Sequence, residues 1–158
     1  MATDFRWRLN DVDETQRFAE QLAAHLQPGD FLALEGELGA GKTTFTQGLA
    51  RGLGINAVVN SPTFTIIKEY QGRLPLYHMD VYRVGDDIDA LGLDEYFFGE
   101  GVCVVEWASL IEDVLPEERL TVVLRHTGDG GRECCLEPRG SRYVKLCKEI
   151  DFDARLGD

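Results

Sequence analysis

The chain lacks an apolar run long enough to cross a membrane and any pattern of a cleaved signal peptide, so the expected setting is the cytoplasm, with no membrane partner. Its four cysteines, Cys103, Cys134, Cys135 and Cys147, show neither a paired metal-ligand spacing nor a disulfide framework, which suits a reducing compartment. Cys134 and Cys135 read as opposite faces of one strand. Positive charge is scarce: 16 Lys and Arg stand against 28 Asp and Glu, a formal charge of −12. Nucleic-acid binding is dominated by phosphate neutralisation, so this composition offers no general footprint for it, and any such role would run through a partner. Internal repeats and low-complexity tracts are absent. With 158 residues and 44% hydrophobic content, the chain suits one domain over 1–158 with a proper core and no separate substrate domain.

What the chain does have is one dense motif. Gly36-Glu37-Leu38-Gly39-Ala40-Gly41-Lys42-Thr43-Thr44 matches G-x-x-x-x-G-K-[ST] directly after the apolar run Phe31–Leu34. Glycines at 36, 39 and 41 let the backbone curl, so that its N–H groups, those of Leu38 and Ala40 included, point at phosphate oxygens. Lys42 can reach the β- and γ-phosphates, the Thr43 hydroxyl suits Mg²⁺, and Thr44 is placed for the α-phosphate, all at a helix N-terminus that favours negative charge. The motif predicts a bound nucleoside triphosphate with Mg²⁺.

The rest of the pattern is α/β. Phe5, Trp7 and Leu9 alternate as a first strand, and Asp11 opens a helix with Phe18, Leu22 and Leu26 on one face, ended by Pro28-Gly29. The helix after the loop carries Phe45, Leu49 and Leu53, with Gly52 and Gly54 weakening and ending it. Thr65–Tyr70 and Leu74–Met79 flank Gln71-Gly72 as a hairpin. A short helix or two over Asp86–Phe98 follows, then a buried strand Gly101–Val105, a helical segment before Pro116, strands at Leu120–Leu124 and Cys134–Leu136 around a Gly128–Gly131 turn, and a final helix capped by Ser141 and running through Ile150. The expected fold is P-loop NTPase-like and three-layered, its central sheet mostly parallel with an antiparallel hairpin insertion.

Open α/β sheets bind ligands at the carboxyl ends of their strands, and two acids fall there. Glu106 follows Val102–Val105, where a carboxylate could hold the Mg²⁺ shell or orient the attacking water; Asp80, ending the hairpin's second strand, could take the other role. In the polar segment Asn60–Thr65, the hydroxyl of Thr63 could sense the γ-phosphate, as switch segments do. Trp107 is either core or part of a functional surface. His78 and Arg83 flank Asp80, while His25 and His126 lack clustered partners. If Leu120–Leu124 runs parallel to the loop's strand, Arg132 emerges at the same edge and could stack on the purine; the Asp11 region is another candidate there.

The set Gly36–Thr44, Ser61-Pro62-Thr63-Phe64, His78-Met79-Asp80-Val81-Tyr82-Arg83 and Val105-Glu106-Trp107, in that order and spacing, resembles the TsaE family of small bacterial ATPases, formerly called YjeE. The resemblance runs from the first strand to about Leu124 and leaves out the acidic tail after Ile150. It implies ATP hydrolysis in the formation of N6-threonylcarbamoyladenosine in tRNAs that read codons beginning with adenine, beside TsaB- and TsaD-like partners, with tRNA met only through the complex and weak activity in isolation. It also implies that Thr43 and Glu106 are the Mg²⁺ positions and that Asp80 and Trp107 are needed for activity. The rivals are a small-molecule kinase, for which no arginine-rich lid is visible, and a nucleotide-gated interaction module with little hydrolysis. A GTPase would want an Asn-Lys-x-Asp motif, which the chain lacks.

Overall fold

The computed structural model describes residues 4–36, 41–56, 59, 67–81, 93–97 and 99–156, without the side chains of 93–94 and 151–156. Leu38, Gly39 and Ala40 of the glycine-rich loop, Thr63 and its segment, and Arg83 lie outside the described residues.

Seven strands form a single sheet: β1 (Phe5–Leu9), β2 (Phe31–Gly36), β3 (Ile67–Tyr70), β4 (Leu76–Asp80), β5 (Val102–Glu106), β6 (Arg119–His126) and β7 (Arg132–Arg139), in the order β1-β7-β6-β2-β5-β4-β3. Helices α1 (Val12–Ala24), α2 (Lys42–Gly52), α3 (Leu93–Phe97) and α4 (Ser141–Leu156) and a 3₁₀ segment (Ala108–Val114) complete the described elements. The architecture is thus mixed α/β. No helix among the described residues is long and apolar enough to cross a membrane.

Strands β6, β2, β5 and β4 run parallel through the centre. The expectation of a mostly parallel sheet with one antiparallel hairpin needs correction, because β7 pairs antiparallel with both β6 and β1 at the edge opposite the β3–β4 hairpin. The cause is local: the 127–131 turn leads β6 straight into β7, and a connection that short can join only antiparallel neighbours. Every residue of β5 is buried, as expected for a strand covered on both faces. Alternation splits the core accordingly. Leu32 and Leu34, Val102 and Val104, and Leu76 pack with α1, α2 and α4, whereas Phe31, Ala33, Cys103, Val105 and Met79 pack with Phe97, Ala108 and Ile111 on the other face.

Helix α1 starts where the sequence placed it: the Asp11 carboxylate accepts a 2.8 Å hydrogen bond from the Glu14 N–H. It ends earlier than Pro28-Gly29, with His25 as the C-cap. Gly54, at a φ of +76°, follows the Leu53 C-cap and ends α2 as expected, its N–H donating to the Arg51 carbonyl, whereas Gly52 has a further use that it shares with Gly48. A Cβ on Gly48 would lie 2.6 Å from the Gln16 carbonyl oxygen and 2.8 Å from Ala19 Cβ, and one on Gly52 2.6 Å from Ala23 Cβ. Gly48 and Gly52 therefore let α2 approach α1 closely, and the helix itself runs through Gly52.

The hairpin turn is longer than Gln71-Gly72, since β3 ends at Tyr70 and β4 begins at Leu76. The turn is held by tertiary contacts: Arg73 N–H donates to the Leu53 carbonyl, and the Arg73 guanidinium donates to the Ala23 carbonyl at 2.9 Å. At the other end of the chain, Gly140 rather than Ser141 caps α4, its carbonyl accepting from the Tyr143 and Val144 N–H groups at a φ of +100°. That helix continues past Ile150 to Leu156. All four cysteines are buried and free.

Candidate functional site

The carboxyl ends of the parallel strands gather most of the described candidates. Asp80 and Glu106 are direct register partners on β4 and β5. Both share strand parity with Leu76, Val102 and Val104, so both carboxylates belong to the α2 face of the sheet. Helix α2 begins there, at Lys42, immediately after Gly41, whose φ of +101° only glycine adopts without strain. Thr43 and Thr44 follow in the first turn, half-buried. Gly36 closes β2 on the same edge, paired with Leu124 of β6.

Lys42 and Glu106 meet. The Lys42 Nζ lies 3.7 Å from Glu106 Oε1, and the two side chains are 9% and 6% exposed. A buried ammonium and carboxylate need each other, because either alone would carry a large desolvation cost. The other oxygen, Glu106 Oε2, lies 2.6 Å from His78 Nε2, and His78 is fully buried. The site thus presents one carboxylate held between a lysine and a histidine.

Trp107 resolves in an unexpected way. Simple alternation after Glu106 would send it to the opposite face, but its backbone leaves the strand at φ 62°, ψ 30°, the sole non-glycine residue with positive φ among the described residues. For a bulky side chain that conformation costs on the order of 1–3 kcal/mol and must be imposed by its surroundings. One such constraint follows two residues later, where Ser109 N–H donates to Glu35 Oε1 at 2.8 Å and ties the 3₁₀ segment to β2. The result is that the indole packs against the Phe31–Val105 side of the core while its ring lies under the Lys42 ammonium, 4.6 Å from the centroid. Trp107 thus has a core contact and a contact with Lys42 at once.

Strands β2 and β6 are parallel, the condition for bringing Arg132 to this edge, and its side chain reaches the loop itself: a Cβ on Gly41 would lie 2.6 Å from Arg132 Nε. Leu9 pairs with Arg132, which places Asp11 on the same edge, exposed and engaged as the α1 cap. Nearby, Asp129 accepts from Thr127, Arg8 and Gly131, hydrogen bonds that hold its carboxyl down at about 2.

The donor set present suits an anion with a hard cation. A lysine ammonium and a helix N-terminus opened by a positive-φ glycine favour phosphate, and the Glu106 carboxylate and the Thr43 hydroxyl in the first turn of α2 are oxygen ligands of the kind Mg²⁺ prefers. Among the described residues, no cluster of three or more His, Cys, Asp and Glu forms a metal cage. Two contacts escaped the sequence reading. His78 bonds the key carboxylate, and the His-x-Asp spacing, which puts His78 and Asp80 on one strand face, was the signal that could have exposed it. The approach of Arg132 to Gly41 had no local signal.

A family model described as TsaE, threonylcarbamoyl adenosine biosynthesis protein TsaE, matches residues 9–134. The tRNA threonylcarbamoyladenosine biosynthesis protein TsaE of Bacillus subtilis is 60% identical over 146 residues, covering 92% of each chain. Its namesake in Treponema pallidum is 46% identical over 124 residues, 77% of this chain and 92% of that one. The crystal structure of Bacillus subtilis YdiB superposes with a TM-score of 0.88 at 53% identity and 98% coverage of both chains.

Proposed function

The chain belongs to the TsaE family, and from that premise we propose that it is an ATP hydrolase with the P-loop NTPase-like three-layer fold, working in tRNA threonylcarbamoyladenosine formation beside TsaB- and TsaD-like proteins. The observation that carries the enzymatic part is the buried Lys42–Glu106 pair at the start of α2, in register with Asp80. A module that merely grips nucleotide has little use for a desolvated carboxylate beside its phosphate lysine. Hydrolysis does.

In this reading Gly36 to Thr44 cradle the triphosphate, and the Lys42 ammonium exchanges Glu106 for the β- and γ-phosphates. Mg²⁺, when bound, neutralises charge on the phosphate oxygens; Thr43 and Glu106 are the residues that would hold it. Asp80, beside Glu106, orients the attacking water and accepts its proton, while Thr63 reads the γ-phosphate. Trp107 walls the lysine from solvent. Arg132 and Asp11 frame the nucleotide from the β7 and β1 side. The formal charge of −12 favours contact with proteins over a direct grip on tRNA.

The test is ATP hydrolysis measured alone and with TsaB- and TsaD-like partners. Slow turnover alone and faster turnover with both is expected; equal rates with and without them would refute the coupling, and absence of turnover in every mixture would refute the ATPase reading.

A further inference from the structure

Resting on the ATPase reading, we propose that His78 is a positioning residue: its imidazole fixes Glu106 by one oxygen, so that the other is the one presented to the nucleotide side. Three observations combine. The Nε2 of His78 lies 2.6 Å from Glu106 Oε2, at the short end for a hydrogen bond from a ring nitrogen to a carboxylate. Glu106 Oε1, at the other end of the carboxylate, faces Lys42. The second ring nitrogen, His78 Nδ1, is buried without a hydrogen-bond partner among the described residues.

The third observation gives the contact its direction. A carboxylate only accepts, so Nε2–H donates to it, and in the neutral ring that leaves Nδ1 with a lone pair. Leaving that lone pair buried has a desolvation cost that an apolar residue would not incur. An apolar side chain at a site paired with Val104 and flanked by Leu76 would pack without that penalty. The imidazole therefore has one partner in the described structure, and that partner is Glu106.

The consequence is geometric. A carboxylate with one oxygen pinned by a fully buried ring can turn little about its last torsions, and only Oε1 is left to change partner when Lys42 moves to phosphate. Glu106 would then offer Mg²⁺ a single, preset oxygen. Groups that orient a metal-binding carboxylate in this way are worth about 10–100-fold in metal affinity or activity.

The experiment compares His78→Phe, which fills the site without a donor, with His78→Gln, whose amide can still donate near the Nε2 position. Two quantities are read: Mg²⁺ affinity of the complex with a non-hydrolysable ATP analogue, and kcat against KM for ATP. For His78→Phe the expected result is Mg²⁺ affinity and kcat both lowered about 10-fold or more, with nucleotide affinity in EDTA and KM within about twofold of wild type. His78→Gln should recover most of both. Wild-type Mg²⁺ affinity in His78→Phe overturns the proposal, as does a His78→Gln protein as impaired as the Phe variant. If the Phe variant does not fold, His78→Leu removes the same donor with less bulk and is judged by the same values. Absence of turnover in the wild type would refute the ATPase reading alone, since the metal titration decides His78 without it.

Discussion

Lys42 and Glu106 form a buried pair at the end of β5, with the Lys42 Nζ 3.7 Å from Glu106 Oε1 and 4.6 Å from the centroid of the Trp107 ring. On the proposed function, Lys42 leaves this carboxylate when it meets phosphate. Glu106→Gln keeps the shape and removes the charge. Hydrolysis should fall by about 10²–10³-fold while ATP binding persists, because Lys42 is released to the nucleotide. Single-turnover kinetics with a parallel binding isotherm will show it, and wild-type turnover would refute a role for the carboxylate. Lys42→Ala should abolish turnover and weaken nucleotide binding together.

Trp107 should report occupancy of the site. When nucleotide draws the Lys42 ammonium off the indole, the emission of Trp107 should change and saturate with added ATP. The other tryptophan, Trp7 on β1, stacks with Phe5 and lies tilted against Phe18 of α1, and is removed as a background signal by Trp7→Phe. The same titration ranks ATP against GTP. In Lys42→Ala the nucleotide-dependent change should disappear even at concentrations that restore binding.

The contact between α1 and α2 sets a limit on volume. Gly48→Ala would place a methyl carbon 2.6 Å from a backbone oxygen and 2.8 Å from Ala19 Cβ. Overpacking of this kind costs about 1–3 kcal/mol, against the few tenths to about 1 kcal/mol that alanine ordinarily gains over glycine in a helix. Urea unfolding should show a net loss in midpoint with unchanged slope. Equal or higher stability would mean the helices can separate at no cost.

Burial makes the fold sensitive to alkali. The thiols of Cys103 and Cys147 are pushed up to about 12 by burial, against about 8.5–9 in an unfolded chain. Between these values the unfolded chain releases protons that the native state keeps. The contribution is complete below about pH 9 and is lost as pH rises toward 12, by up to about 1.4 kcal/mol per pH unit for each thiol. Denaturation curves between pH 8 and 11 should show that slope, reduced in Cys103→Ala. Alkylation of the native protein at pH 8 should be slow, since the four thiols are buried.

Elements dictated by local chemistry were legible along the chain. Asp11 could be read as a cap because its carboxylate needs only the N–H three residues on, and β5 as a buried strand because five consecutive positions face packed layers. The placement of Gly41, Lys42, Thr43, Asp80 and Glu106 at one edge followed from strand ends and the glycine-rich spacing. Tertiary structure decided the rest, because it depends on what comes opposite. The antiparallel return of β7, the use of Gly48 and Gly52 to seat α2 on α1, the swing of Trp107 under Lys42 and the seizure of Glu106 by His78 all join residues from different elements. Spacing along one segment can put two carboxylates on a common face, but the oxygen each one leaves open is fixed only when the neighbouring strand supplies its imidazole and the helix its ammonium.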